Sequence, residues 1–327
     1  IKTNALKTGH QRKAGHFMTK VLLKKCAEYI CVFLAVSILI FFMIHWFSPT
    51  DPISVIIGGK GSTAEIIENA REKFHLNEPV WKQYLIWMSG ILHGDWGTSY
   101  KFQTPVLETI ASRAPITVGL VLGASVISLI VSIPLGVACA VKNDSVFDRV
   151  VSVLSLVLAA VPPFLFSIIL LVVIVSINPS YPIAGGYQGV GGYIERMAAP
   201  CIALACSKMT ITLKVTRQGM IEQMRSPYMM NLRAKGMPLG TQVWKHGLKS
   251  AIIPVISILS IQIGAMVVGA VLVESVFSLS GVGSLLIDSI NASDYPVVQA
   301  IIMILVLIFM ITSAIADILC RIIDPRI

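Results

Sequence analysis

Apolar residues fill six long stretches of the chain. No Asp, Glu, Lys or Arg occurs between Arg113 and Lys142, between Lys249 and Glu274, or between Asp294 and Asp317. About 20 apolar residues in helical form cross a hydrocarbon core of about 30 Å. The pattern predicts spanning helices over 27–47, 115–141, 150–177, 198–217, 251–273 and 297–320, the fourth interrupted by Lys208 and Lys214. Hydrocarbon offers peptide groups no partners, so a helix that bonds itself is the economical way across. The expected fold is an all-α integral membrane protein of six transmembrane helices. A large extracytoplasmic loop, 48–113, joins helices one and two, and a cytoplasmic loop, 222–249, joins helices four and five.

The segments between the spans carry their own punctuation. Pro49-Thr50-Asp51-Pro52 ends the first span, because proline cannot continue a helix. Ser62-Thr63-Ala64-Glu65 fits a capping box that opens an amphipathic helix with Ile67, Ala70 and Phe74 on one face. A second helix is expected from Pro79, with Val80, Tyr84, Trp87 and Ile91 at helical spacing. Trp81, Trp87 and Trp96 suit a membrane interface, and Gly94-Asp95-Trp96-Gly97 reads as a turn. This loop is either a docking surface or a pair of helices lying on the bilayer. Pro134, Pro162-Pro163 and Pro254 fall inside spans, and Gly119 with Gly123 and Ala265 with Gly269 form small-residue pairs that favour close helix contact. Tyr181-Pro182 and the glycines from Gly185 to Gly192 form a flexible loop. The stretch 278–296 is too apolar for a solvated loop and predicts a short re-entrant or interfacial helix.

Composition agrees: 55% of residues are hydrophobic, 13% are charged and the mean hydropathy is +0.79, against about 25% charged residues in soluble domains. The net charge of +9 raises the question of nucleic acid, but its distribution answers it. In a six-span chain, 18 of the 26 basic residues fall on one side. The positive-inside rule then places both termini in the cytoplasm without a DNA or RNA partner. The organisation expected is a basic N-terminal segment, 1–25, followed by one transmembrane domain, 26–327. The six cysteines lie in or beside spans without CxxC or metal-type spacing. The first apolar run is too long for a signal-peptide core and reads as a retained helix.

Catalytic constellations are not found in the sequence. Gly59-Lys60 would need Gly at 54 and Ser or Thr at 61 to make a phosphate loop, and Ser54 and Gly61 stand there. The six histidines show no HExxH pairing, and no metal site is expected. An intramembrane carboxylate pair suited to a proton-driven carrier is also missing from the pattern, with Asp317 near a membrane end. The energy source is therefore expected elsewhere than in this chain.

The informative segment runs from Glu222 to Lys249. Pro227 fits a helix N-terminus, Gly236 fits the position just past a C-cap, and Lys235 stands near the negative helix end. One short helix of about two turns is expected, shaped for a groove on another protein or for a lipid surface. Pro238 starts a second helix leading toward Pro254.

Leu232-Arg233-Ala234-Lys235-Gly236, followed by Ala251-Ile252-Ile253-Pro254, resembles the "EAA" signature of ABC importer permeases. The resemblance continues at Leu76-Asn77-Glu78-Pro79, Gly94-Asp95-Trp96-Gly97-Thr98-Ser99-Tyr100, Val273-Glu274-Ser275-Val276-Phe277, Gly281-Val282-Gly283, Asp294-Tyr295-Pro296 and Asp324-Pro325-Arg326. Together these are similar to the B-type permease of dipeptide, oligopeptide and nickel importers. That resemblance implies an inner-membrane subunit of a prokaryote, partnered by a second homologous permease, two ATPase subunits, an extracytoplasmic substrate-binding protein and membrane lipid. ATP and Mg would reside on the ATPase subunits, with no cofactor or catalytic residue in this chain.

It further implies that Tyr228, Arg233, Ala234, Lys235 and Gly236 couple to the ATPase. Glu274, Gly281 and Gly283 would belong to the pathway or gate, and Trp87, Asp95, Trp96, Asp294 and Tyr295 to the docking face for the binding protein. The chain departs from the pattern at Leu279-Ser280, Asn231-Leu232 and Leu165-Phe166-Ser167. Lys208 replaces an apolar residue, and reads either as a pathway cation that selects a carboxylate-bearing solute or as a snorkelling or paired lysine. The expected cargo is peptide, with nickel or a metal chelate as the alternative. A stand-alone secondary transporter or channel is the rival of another class.

Overall fold

The computed structural model describes residues 27–46, 64–74, 76–181 and 189–323, together with Lys25 and Ile53. Residues 49–52, 58–63 and 182–188, the basic residues before Lys25 and the Asp324-Pro325-Arg326 motif lie outside the described residues, so the readings made on them stand only as expectations.

The described residues form helices and no strands. In chain order these are α1 (Ala27–Trp46), α2 (Ala64–Lys73), α3 (Val80–Leu92), α4 (Val106–Val141), α5 (Val146–Ala160), α6 (Pro163–Ile177), α7 (Gly189–Met224), α8 (Pro227–Ala234), α9 (Leu239–Val276), α10 (Val282–Asn291) and α11 (Tyr295–Ile323). The protein is an all-α integral membrane protein. Spans two, four and five are longer than hydropathy suggests. The added turns of α4 carry Glu108 and Arg113, and those of α7 carry Glu195, Arg196 and Glu222. An apolar pattern marks the depth of the hydrocarbon rather than the ends of the helix that crosses it.

The third span differs more. It is two helices, α5 and α6, bent by 101° where the sequence pattern suggests one. A residue before proline is pushed out of the helical region. Val161 precedes Pro162 and Pro162 precedes Pro163, so two successive residues are extended, with ψ of 120° and 146°. Single prolines do not have this effect: Pro115, Pro134, Pro200 and Pro254 all lie inside continuous helices.

Packing shows that the bent pair crosses rather than returns. A Cβ on Gly123 would fall 2.6 Å from the Cys201 sulfur, and one on Gly136 would fall 2.8 Å from Thr216 Cβ. Gly119 likewise faces Tyr193. Rising numbers on α4 thus meet rising numbers on α7, and the two helices run parallel. The chain between them must travel back across. Asp148 at the start of α5 bonds Arg217 near the end of α7, while the Tyr181 hydroxyl beyond α6 donates to the carbonyl of Glu195 near the start of α7. The pair therefore spans the full depth, which gives six crossings.

A buried cluster of α4, α7 and α9 forms the centre, including Leu120, Ala124, Leu204, Met266 and Ala270. Large apolar residues on α5 and α6, such as Val153, Leu154, Val157, Ile169 and Val172, are exposed. In a water-soluble protein such a surface would be a liability, whereas lipid solvates it. Lys25, at the foot of α1, forms an ion pair with Asp317 of α11, so the first and last spans are joined at the same end.

Candidate functional site

One end of the bundle gathers the 142–145 turn, the 225–247 segment, Lys25 and Asp317. There α8 is fixed at both termini by its own sequence. Ser226 is the N-cap, its Oγ accepting from the Met229 N–H at 3.3 Å, and Pro227 follows at the first helical position. At the other terminus the Gly236 N–H donates to the Arg233 carbonyl at 2.9 Å and the Met237 N–H to the Leu232 carbonyl at 3.2 Å. These two bonds make a Schellman closure, which needs a left-handed residue, and Gly236 has φ +72°. Met229 and Leu232 are buried beneath the helix. Tyr228, Met230, Arg233, Ala234 and Lys235 are exposed on its other sides. The Tyr228 hydroxyl lies 2.8 Å from His246 Nδ1, and an Arg233 amino group donates to the Met224 carbonyl. The five coupling candidates are thus on one projecting helix and its closing turn. Pro238 then opens α9, which runs without interruption past Pro254 and includes one wider π-type turn over Gln242–Gly247.

A latch at the same end gave no periodic signal in the sequence. Arg217 Nε donates to Asp148 Oδ1 at 2.7 Å and Nη2 to Oδ2 at 2.6 Å, a bidentate pair with the carboxylate only 3% exposed. Nη2 also reaches Asn143 Oδ1 at 2.9 Å, and the Asp144 N–H donates to Asp148 Oδ2 at 3.0 Å. One guanidinium therefore secures the whole turn between the second and third spans.

Glu274, Gly281 and Gly283 meet near the opposite end. Glu274 is fully buried. Thr117 Oγ1 donates to its Oε1 at 2.6 Å, and the Ser284 N–H donates to its Oε2 at 2.9 Å. Thr117 Oγ1 in turn accepts from the Val282 N–H at 2.8 Å. A carboxyl from α9 and a hydroxyl from α4 thereby satisfy the first free N–H groups of α10. The glycines make this approach possible. A Cβ on Gly281 would overlap the Glu274 carboxyl, and one on Gly283 would fall 2.5 Å from Val271 Cα. Lys208 stands elsewhere, midway along α7, half-buried, and its side-chain ammonium has no hydrogen bond or ion pair to another described residue. Thr212, one turn further on, donates to Gln262 of α9, which donates to the Lys208 carbonyl.

At the end of the bundle away from α8 the docking candidates divide. Asp294 is fully buried and internally engaged: Ser99 Oγ, the Tyr100 N–H at 2.9 Å and the Lys101 N–H at 3.3 Å all donate to it. It fastens the 98–102 loop to the start of α11. Gly94 and Gly97, at φ +85° and +83°, turn the chain as expected, and Asp95 accepts from the Gly97 N–H. Burial and the neighbouring Asp294 carboxylate push the Tyr100 hydroxyl above the ordinary tyrosine range. Trp87, Asp95, Trp96 and Tyr295 line a cavity of about 340 Å³ between α1, α3 and α11. Among the described residues no group of three His, Cys, Asp or Glu side chains is placed to hold a metal.

Residues 132–327 match the family described as "binding-protein-dependent transport system inner membrane component", and residues 18–121 match its N-terminal companion. The oligopeptide transport system permease protein AppB of Bacillus subtilis is 34% identical, covering 95% of this chain and 99% of the relative. The dipeptide transport system permease protein DppB of Alkalihalophilus pseudofirmus is 31% identical and that of Escherichia coli K12 is 29% identical, each with the same coverage of both chains.

Proposed function

Because the chain belongs to the family of binding-protein-dependent transport inner membrane components, we propose that it forms part of the translocation pathway of an ATP-driven importer for peptides. The observation that carries this reading is α8: a helix of eight residues, closed at both ends and exposed on the same bundle end as the 142–145 turn and Lys25. On the positive-inside rule this end faces the cytoplasm. A separate ATPase pair, binding ATP and Mg, receives Tyr228 and Met230 in a groove, while Arg233 and Lys235 orient the contact by charge. A second, homologous permease completes the pathway, and an extracytoplasmic binding protein delivers peptide to the opposite end.

Closure of the ATPases on ATP moves α8, and α9 follows because only four residues, Lys235 to Pro238, separate the two helices. Gly236→Val tests the assignment, because a β-branched residue at φ +72° is strained and removes the Schellman closure. In proteoliposomes holding the whole importer, the variant is expected to retain ATP hydrolysis while peptide uptake falls more than about tenfold, a barrier change of about 1.4 kcal/mol. Full coupled uptake would remove α8 from the coupling role.

Lys208 contributes to cargo selection in this scheme. An unpaired cation midway along a spanning helix costs several kcal/mol unless water or a solute reaches it. Its partner in transit is the C-terminal carboxylate of the peptide. With Lys208→Met, the uptake ratio of a dipeptide to its C-terminal amide is expected to fall about fivefold, the scale of one partly exposed ion pair. An unchanged ratio would leave Lys208 as a snorkelling residue.

A further inference from the structure

The cavity between α1, α3 and α11 has properties that a protein-docking face does not require. Its lining is rich in aromatic side chains: Phe41 and Trp87, with ring centroids 5.5 Å apart, Tyr100 and Tyr295, 6.5 Å apart, and Phe74 and Trp96. Aromatic faces are electrostatically negative and attract ammonium groups. The carboxylate among the lining residues points the same way. Asp95 Oδ1 accepts from the Gly97 N–H at 2.9 Å, while Oδ2 has no partner among the described residues. Gln299 supplies an independent sign. It is 5% exposed, lines the cavity and makes no side-chain hydrogen bond to any described residue. Its amide opens onto the cavity rather than into the packed core, so an entering group can bond it without first breaking a contact within the protein.

We propose that this cavity binds a primary ammonium group carried next to a hydrogen-bond acceptor, the ammonium against Asp95 and the rings and the acceptor against the Gln299 amide. The site stands whether or not the importer reading does. Two sources present that chemistry: the headgroup of an aminophospholipid and the N-terminus of a peptide. The surroundings favour lipid. Trp46, Trp81, Leu85 and Leu92 on the adjoining helices are 78%, 61%, 56% and 75% exposed, an apolar rim that suits the boundary between headgroups and acyl chains.

The test titrates the full chain in detergent with dioleoyl phosphatidylethanolamine and dioleoyl phosphatidylglycerol, counting retained lipid by native mass spectrometry. In parallel arms, Ala-Ala and N-acetyl-Ala-Ala are added. Phosphatidylethanolamine is expected to be retained about tenfold more tightly than the glycerol lipid, equivalent to one good charge-assisted contact. Asp95→Asn, which can still accept from the Gly97 N–H, should abolish that preference, and Gln299→Leu should reduce it. Val153→Ala, on the exposed face of α5 and outside both the cavity and its rim, should preserve it. Thermal melting confirms that each variant is folded. Binding of Ala-Ala but not of its acetylated form, with Asp95 dependence and no lipid preference, assigns the ammonium to peptide and upholds the site. Equal retention of both lipids together with no peptide binding overturns the proposal. A preference that survives Asp95→Asn overturns it equally.

Discussion

Arg217→Met is expected to lower the stability of the protein by about 3–5 kcal/mol, because it leaves the Asp148 carboxylate buried without its counter-charge. Thermal unfolding in detergent measures the effect. The same substitution releases Asn143 and loosens the turn that secures α5 against α7. The double variant Arg217→Met with Asp148→Asn has no stranded charge, and Asn can still accept from the Asp144 N–H. It should recover most of the loss. A double variant no better than the single one would show that a stranded carboxylate is not the source of the loss.

The second large effect is expected at the cap of α10. Glu274→Leu strands the Thr117 hydroxyl and the Ser284 N–H inside the bundle. At about 1–3 kcal/mol for each unpaired group, the penalty is about 2–6 kcal/mol. Glu274→Gln keeps one acceptor and should fall between wild type and Leu. Gly281→Val attacks the same contact sterically, since its Cβ would overlap the Glu274 carboxyl, and α10 must shift to admit it. Melting temperatures should rank wild type above Gln, and Gln above Leu. Equal melting of the Leu and wild-type proteins would show that the carboxyl is not needed as a cap.

These two contacts also show where sequence reading stops. The spans were legible because hydrocarbon demands an uninterrupted apolar run, and α8 was legible because Pro227 and Gly236 are local signals with fixed meaning, whereas its Ser226 cap emerged only from the fold. The bend at Pro162-Pro163 required weighing two prolines in succession, whereas hydropathy alone treats them as one more kink. The Arg217–Asp148 latch joins residues 69 positions apart. Sequence spacing carries no information about such a pair, although a carboxylate just inside a capped helix start was a usable hint. Asp294 illustrates a different gap. Its motif was read as part of a docking face, yet only the fold reveals that its oxygens are consumed by the backbone of residues 100 and 101 and the hydroxyl of Ser99. Similarly, Glu274 was tied by resemblance to Gly281 and Gly283, and the glycines turn out to be the space into which its side chain fits.

The length of α9 has a mechanical consequence. Its 38 residues, at 1.5 Å each, make a rod of about 57 Å. One tip begins three residues after the Schellman glycine, and the other carries Glu274 two residues from its end. No hinge loop interrupts it, so thrust applied at the foot is delivered to the roots of α10 as a displacement of the same backbone. The widened winding over Gln242–Gly247 is the natural place for that shaft to absorb a mismatch in stroke.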